Sequence, residues 1–116
     1  MHKFKQLEIW KQSRIFCTQI YSFTGSFPNE ERFGLTNQLR RAAVSIPSNI
    51  AEGSSRKSNK DFARFLEIAI GSAYEIETQL LISSDLGFSS EENLNPLLLK
   101  IDTLTKMIYS FQIQLK

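Results

Sequence analysis

The sequence holds one cysteine, Cys17, and one histidine, His2. A single thiol excludes an internal disulfide. A single imidazole, placed where a chain start is expected to fray, leaves no His/Cys cluster for a metal. It also leaves no Cys/His or Ser/His/Asp set for nucleophilic catalysis. Glycine (5) and proline (3) are scarce among 116 residues. An all-β chain needs a turn about every 8–12 residues, so a few long helices are expected instead. No apolar run approaches the roughly 18 residues of a membrane span. The opening MHKFKQLEIWKQSR has no unbroken apolar core of the signal-peptide kind. A cytoplasmic protein with no membrane association, cofactor or small-molecule substrate is therefore expected.

What is present fits a soluble globular chain: 41% hydrophobic and 22% charged residues. This length predicts a single domain over residues 1–116, with a core of modest size. The net charge of +2 is unevenly spread. Residues 35–66 carry six basic and two acidic side chains, and residues 67–102 carry one basic and seven acidic. Such asymmetry can orient subunits or partners, but it is weaker than that of a dedicated nucleic-acid binder.

Apolar spacing predicts four helices. The first runs from about Gln6 to Phe23, with Ile9, Phe16, Ile20 and Phe23 in one row and Trp10, Cys17 and Tyr21 in the next. After a short helical turn over residues 28–33, the second runs from Leu35 to Glu52. It carries Leu39, Ala42, Ala43, Ile46 and Ile50 on one face, with Gly53 as its stop. Pro47 is expected to kink this helix, with Ser48 or Asn49 satisfying the group the kink opens. Ser58-Asn59-Lys60-Asp61 resembles a capping box and starts the third helix, which reaches about Leu86 before Gly87. Phe62, Leu66, Ala69, Ala73, Ile76 and Leu80 keep a 3-4 alternation along it. Gly71, in mid-helix, predicts close approach of a neighbouring helix. The fourth starts near Ser89 or Ser90 and repeats the alternation from Leu94 through Leu115, with Pro96 shaping its first turns. Short connections between four helices give an all-α, antiparallel up-down-up-down four-helix bundle. Val44, Ile70, Tyr74, Leu81, Leu99, Tyr109 and Ile113 lie off the main stripes. They read as scattered surface residues or, preferably, as contacts with another copy in a homo-oligomer.

The run Gln38-Leu39-Arg40-Arg41-Ala42-Ala43-Val44-Ser45-Ile46-Pro47-Ser48-Asn49-Ile50-Ala51-Glu52-Gly53 resembles the signature of the bacterial four helix bundle proteins, also called 23S rRNA-intervening-sequence proteins. The likeness continues through Phe62 to Ala69, Gly71-Ser72 and Glu75 to Leu80, and covers nearly the whole chain; the proline at 96 departs from the pattern. The resemblance implies a four-helix bundle assembling into a homopentameric ring, without enzymatic activity and with no assigned molecular function. A similar protein is the accessory protein of diversity-generating retroelements, a basic ring that engages a reverse transcriptase and nucleic acid.

Four groups of residues are candidates for function. Arg56, Lys57, Lys60 and Arg64 flank the start of the third helix, where backbone N–H groups and the positive dipole end would also stabilise phosphate. On the residues alone a solvated, capped loop is the plainer reading; the resemblance sets nucleic-acid binding beside it. Arg40 and Arg41 project about 100° apart. A salt bridge to Glu67, Glu75 or Glu77, within or between subunits, is the structural reading, and an RNA contact by Arg40 is the alternative. Glu52, near Ser48 and Asn49, has neither a histidine nor a paired acid, so it fits an ion pair with an arginine better than acid–base chemistry. Arg41, Pro47, Asn49, Glu52, Gly53, Glu67 and Glu77 are thus assigned to structure or assembly, and no residue to catalysis or to a metal. Most aromatics fall at core spacing, with Tyr74 and Tyr109 the expected exceptions. Two functions compete: nucleic-acid (RNA or DNA) binding through a basic face, and a scaffold that organises a protein partner.

Overall fold

A computed structural model describes residues 2–115. Its four helices are α1 (Glu8–Thr24), α2 (Leu35–Ser54), α3 (Asn59–Asp85) and α4 (Glu91–Gln114), and no strand occurs among the described residues. Two 3-10 turns, Phe4–Gln6 and Asn29–Glu31, precede α1 and α2. α1 packs on α2 and α4, and α3 packs on the same two, so the helices stand at four corners around a common core. The molecule measures 44 × 24 × 20 Å. Its long axis matches the roughly 40 Å of a helix the length of α3.

The apolar stripes meet as their spacing requires. Phe16, Ile20, Leu39, Ile46, Ile50, Phe62, Leu66, Ile76, Leu80, Ile101, Leu104 and Ile108 are fully buried. The rings of Phe27 and Phe88 lie 5.6 Å apart, so the α1–α2 and α3–α4 connections share one end of the molecule. At the other end Gln112 of α4 donates to the Ala63 carbonyl (2.9 Å) and to Glu67 (2.7 Å) of α3.

Two helices end after glycine-containing stretches, and they end differently. α3 closes with Gly87 at φ 77°, the left-handed conformation that suits glycine. Phe88 N–H donates to Ser83 and Gly87 N–H to Ser84, the paired bonds of a Schellman cap. Gly53, expected to be the stop of α2, instead lies inside that helix and is buried. A Cβ there would stand 2.6 Å from Phe65 Cβ and 2.9 Å from Phe62 Cδ1. Glycine is needed because α3 approaches too closely for any side chain. α2 is ended by serines: Ser54 Oγ donates to Ala51 O and Ser55 Oγ to Glu52 O, both at 2.7 Å. They satisfy carbonyls that a helix end leaves open.

Two further expectations, on the group that Asn49 satisfies and on Gly71, are corrected. α2 continues without a break through Pro47. Proline there leaves the Ala43 carbonyl without its usual N–H donor, yet the Asn49 amide goes to the carbonyl and hydroxyl of Ser45, at 2.8 and 2.9 Å. Gly71 has no heavy atom within 4 Å of its ideal Cβ position, so the close approach expected at this site does not occur within the chain. It sits on the outward face of α3 near Ile68 and Tyr74, which are 52% and 60% exposed. Of the off-stripe apolars, Ile70 packs against the core, while Val44, Tyr74, Leu81, Leu99, Tyr109 and Ile113 are exposed.

Candidate nucleic-acid interface

The candidate interface is the end of the bundle where α2 turns into α3. Four residues, Ser55 to Ser58, make the connection. Ser58 adopts an extended backbone, and its hydroxyl accepts the Asp61 N–H at 3.1 Å. Among the described residues only this half of the expected capping box forms, and the Asp61 carboxylate faces Arg64 at 3.5 Å. Arg56 lies between the Glu52 carboxylate (3.2 Å) and the Phe65 ring, its guanidinium carbon 4.7 Å from the ring centroid. Both ion pairs are solvent-exposed, so each is worth at most about 1 kcal/mol. Lys57 and Lys60 are exposed, and neither has a salt bridge among the described residues.

Arg40 lies away from this group. Its guanidinium reaches α1, donating to Thr24 Oγ1 (2.9 Å) and the Tyr21 carbonyl (3.3 Å) while lying 4.7 Å from the Tyr21 ring centroid. These contacts tie α2 to α1. Thr24 is itself buried, its hydroxyl donating to Ile20 O at 2.8 Å, so one oxygen serves both helices.

Arg41 is exposed and lines a shallow groove between α2 and α3 with Gln38, Ser45, Ser72 and Glu75. The Ser45 and Ser72 hydroxyls share a hydrogen bond of 2.9 Å across it. Gln79 donates to Gln38 Oε1 (3.0 Å) and Glu75 Oε2 (3.3 Å), while its own Oε1 is buried without a partner among the described residues. Neither Arg40 nor Arg41 forms a salt bridge with Glu67, Glu75 or Glu77 within the described chain. Glu67 is taken by Gln112.

Residues that the sequence pattern did not single out also reach this end. The His2 N–H donates to the Ser54 carbonyl at 3.3 Å. Its ring meets Phe62 and Phe111 edge-on, with centroids 5.1 and 6.0 Å away. Phe4 packs on Trp10 at 5.1 Å. The segment expected to fray is therefore held against the bundle, and the exposed Lys3 and Lys5 come with it. The apolar rings of His2 and Phe4 between exposed lysines are the local trace of this packing, with Lys3 extended and Phe4–Gln6 in a 3-10 turn.

Concavities elsewhere offer little chemistry. A surface hollow of about 500 Å³ lies between α1 and the start of α4, lined by Gln19, Phe23, Phe88, Ser90, Asn93 and neighbours, with no ionisable group. Burial raises the Cys17 thiol pKa above its ordinary value, which disfavours the reactive thiolate. Among the described residues, no helix is long and apolar enough to cross a membrane.

The fold has a counterpart among solved structures. A crystal structure of a protein with unknown function from the S23 ribosomal protein family of Bacteroides thetaiotaomicron superposes with a TM-score of 0.79 at 24% identity, over 89% of this chain and 96% of that one. Comparison with curated proteins gives no match. The pattern of the 23S rRNA-intervening sequence proteins matches residues 5–110, and the chain belongs to that family.

Proposed function

We propose that this protein is a non-enzymatic, oligomeric, cytoplasmic nucleic-acid-associated protein that binds the phosphate backbone through the α2–α3 end of its bundle. The observation that carries this reading is the gathering of Arg56, Lys57, Lys60 and Arg64 around one helix start, with neither lysine in a salt bridge among the described residues. Unneutralised lysines attract phosphate and release counterions on binding, which makes affinity steeply salt-dependent. Arg40, occupied by α1, contributes less than these four.

The proposed assembly is a homopentameric ring of antiparallel, up-down-up-down bundles. The pairs Gln38–Gln79 and Ser45–Ser72 support the helix directions, since numbering rises along one helix as it falls along the other. The exposed Ile68, Tyr74, Leu81 and Leu99 support burial against other copies. Gly71 on the same outward face leaves room for close approach by a neighbour. Arg41 and Glu77 would then pair between subunits. A ring repeats the basic end and makes its binding multivalent.

Filter binding of a mixed-sequence RNA in rising salt tests the function. Steep loss of affinity between about 50 and about 200 mM salt is expected. Binding by the Arg56/Lys57/Lys60/Arg64→Ala variant equal to that of the wild type would refute this interface. Light scattering tests the assembly, which a mass of one chain throughout the micromolar range would overturn.

A protein-scaffold reading has its own support at the opposite end. Phe33 is 84% exposed and adjoins Glu30, Glu31 and Arg32. A partner retained after nuclease treatment and released by Phe33→Ser would favour that reading.

A further inference from the structure

We propose that the strap of residues 2–6 belongs to the phosphate-binding surface: Lys3 and Lys5 contact phosphate, and His2 is the positioning residue that holds them there. This rests on the nucleic-acid reading above and extends it to a part of the chain that the sequence pattern assigns to a frayed end.

The first support is the way the strap is held. It is fixed on both sides of Lys3, by the His2 N–H on the Ser54 carbonyl and by the Phe4 ring on Trp10. Ser54 lies immediately before the Ser55–Ser58 connection. The His2 ring touches Phe62, one residue after Asp61 and two before Arg64. The strap therefore shares its anchor residues with the basic cluster. His2 and Phe4 face the bundle, so the lysines between and after them are exposed.

The second support is the balance of charge. Six cations lie on the strap and around the α2–α3 connection, Lys3, Lys5, Arg56, Lys57, Lys60 and Arg64, and the acids at the same end are Glu8, Glu52, Asp61 and Glu67. Both arginines already face carboxylates of their own chain, at 3.2 and 3.5 Å. None of the four lysines forms a salt bridge among the described residues. Phosphate arriving at Arg56 or Arg64 must compete with Glu52 or Asp61, whereas at a lysine it displaces only water and counterions. Half of the unneutralised charge thus comes from the strap. Lysines, rather than arginines, should dominate the salt dependence.

The experiment compares salt slopes for a labelled single-stranded RNA across four variants of the full chain, each checked for helicity and melting temperature. Lys3→Ala/Lys5→Ala should lower the log–log salt slope by about 1.4, two contacts at about 0.7 each. Lys57→Ala/Lys60→Ala should lower it comparably. His2→Ala keeps every charged lysine, yet should lose part of the same slope. His2→Phe, which keeps the ring and the backbone N–H, should restore it. A wild-type slope in Lys3→Ala/Lys5→Ala, together with lost slope in Lys57→Ala/Lys60→Ala, overturns the inference and leaves the interface standing. Weaker binding by the strap variant with an unchanged slope also overturns it, since that marks a structural effect. Absence of binding by the wild type at low salt removes the interface and the inference together.

Discussion

The two ends of the bundle are built from similar materials and differ in packing and charge. At the α2–α3 end the connection is four residues long, a buried glycine lets α3 lie against α2, and the cations Lys3, Lys5, Arg56, Lys57, Lys60 and Arg64 outnumber the acids Glu8, Glu52, Asp61 and Glu67. At the opposite end the connections are longer, and a left-handed glycine closes α3. Rings of Phe23, Phe27 and Phe88 meet there edge-on and tilted. There the charge is reversed, with Glu30, Glu31, Asp85, Glu91 and Glu92 against Arg32 and Arg40. The two ends thus carry opposite charge excesses, though Arg40 of the basic segment lies at the acidic end and Glu67 of the acidic segment at the basic end. Opposite charge at two ends is the kind of asymmetry that can orient a charged partner.

The sharpest test of this contrast is packing. Phe62 is 1% exposed and touches His2, Phe111 and the space over Gly53. Phe62→Ala should cost about 3–5 kcal/mol in chemical denaturation. Phe88→Ala, at a half-buried ring on the other end, should cost distinctly less. Equal losses would show that the two ends are packed alike.

The glycines come next, with opposite signs. Gly53→Ala forces a methyl against Phe65 and Phe62 and should destabilise by about 1–3 kcal/mol. Gly71→Ala meets nothing within its own chain and should stabilise the isolated bundle by up to about 1 kcal/mol through helix propensity. If Gly71→Ala instead lowers the assembled mass seen by light scattering, the glycine serves contact between copies.

Neutralising the acidic end is a test read as binding. Replacing Glu30, Glu31, Glu91 and Glu92 with glutamine should leave the RNA salt slope unchanged, because those carboxylates lie far from the basic end. A changed slope would mean that nucleic acid contacts both ends. The smallest effect is Glu52→Gln. Stability should move by less than about 1 kcal/mol, since the Arg56 pair is exposed. RNA affinity should rise as the competing carboxylate goes, and unchanged affinity would leave Arg56 outside the interface.

Much of the fold was legible because helix-forming information is local. The 3-4 spacing of Phe62, Leu66, Ala69, Ala73, Ile76 and Leu80 names a buried face whatever packs on it, and all six are buried. Ser58 and Ser90 announce helix starts through bonds that span three residues. Gly53 was misread for the same reason. Beside a run of serines, a local reading makes it a stop, and only the position of Phe65 on another helix shows it to be a contact. Pro47 likewise predicts an open carbonyl, but the rotamer of Asn49 decides that Ser45 receives the amide.

By itself the sequence determined four helices, their buried faces, and an unequal distribution of charge along the chain. These depend on residues three and four apart, whose relation is set by the helix itself. Tertiary structure alone decided which cations stand together and which are already neutralised. It drew Arg40 onto α1, turned Arg56 back onto Phe65, and brought Lys3 and Lys5 beside a turn some fifty residues away in sequence. Charge compensation acts through space, so the partner of a surface cation is settled by packing between distant segments.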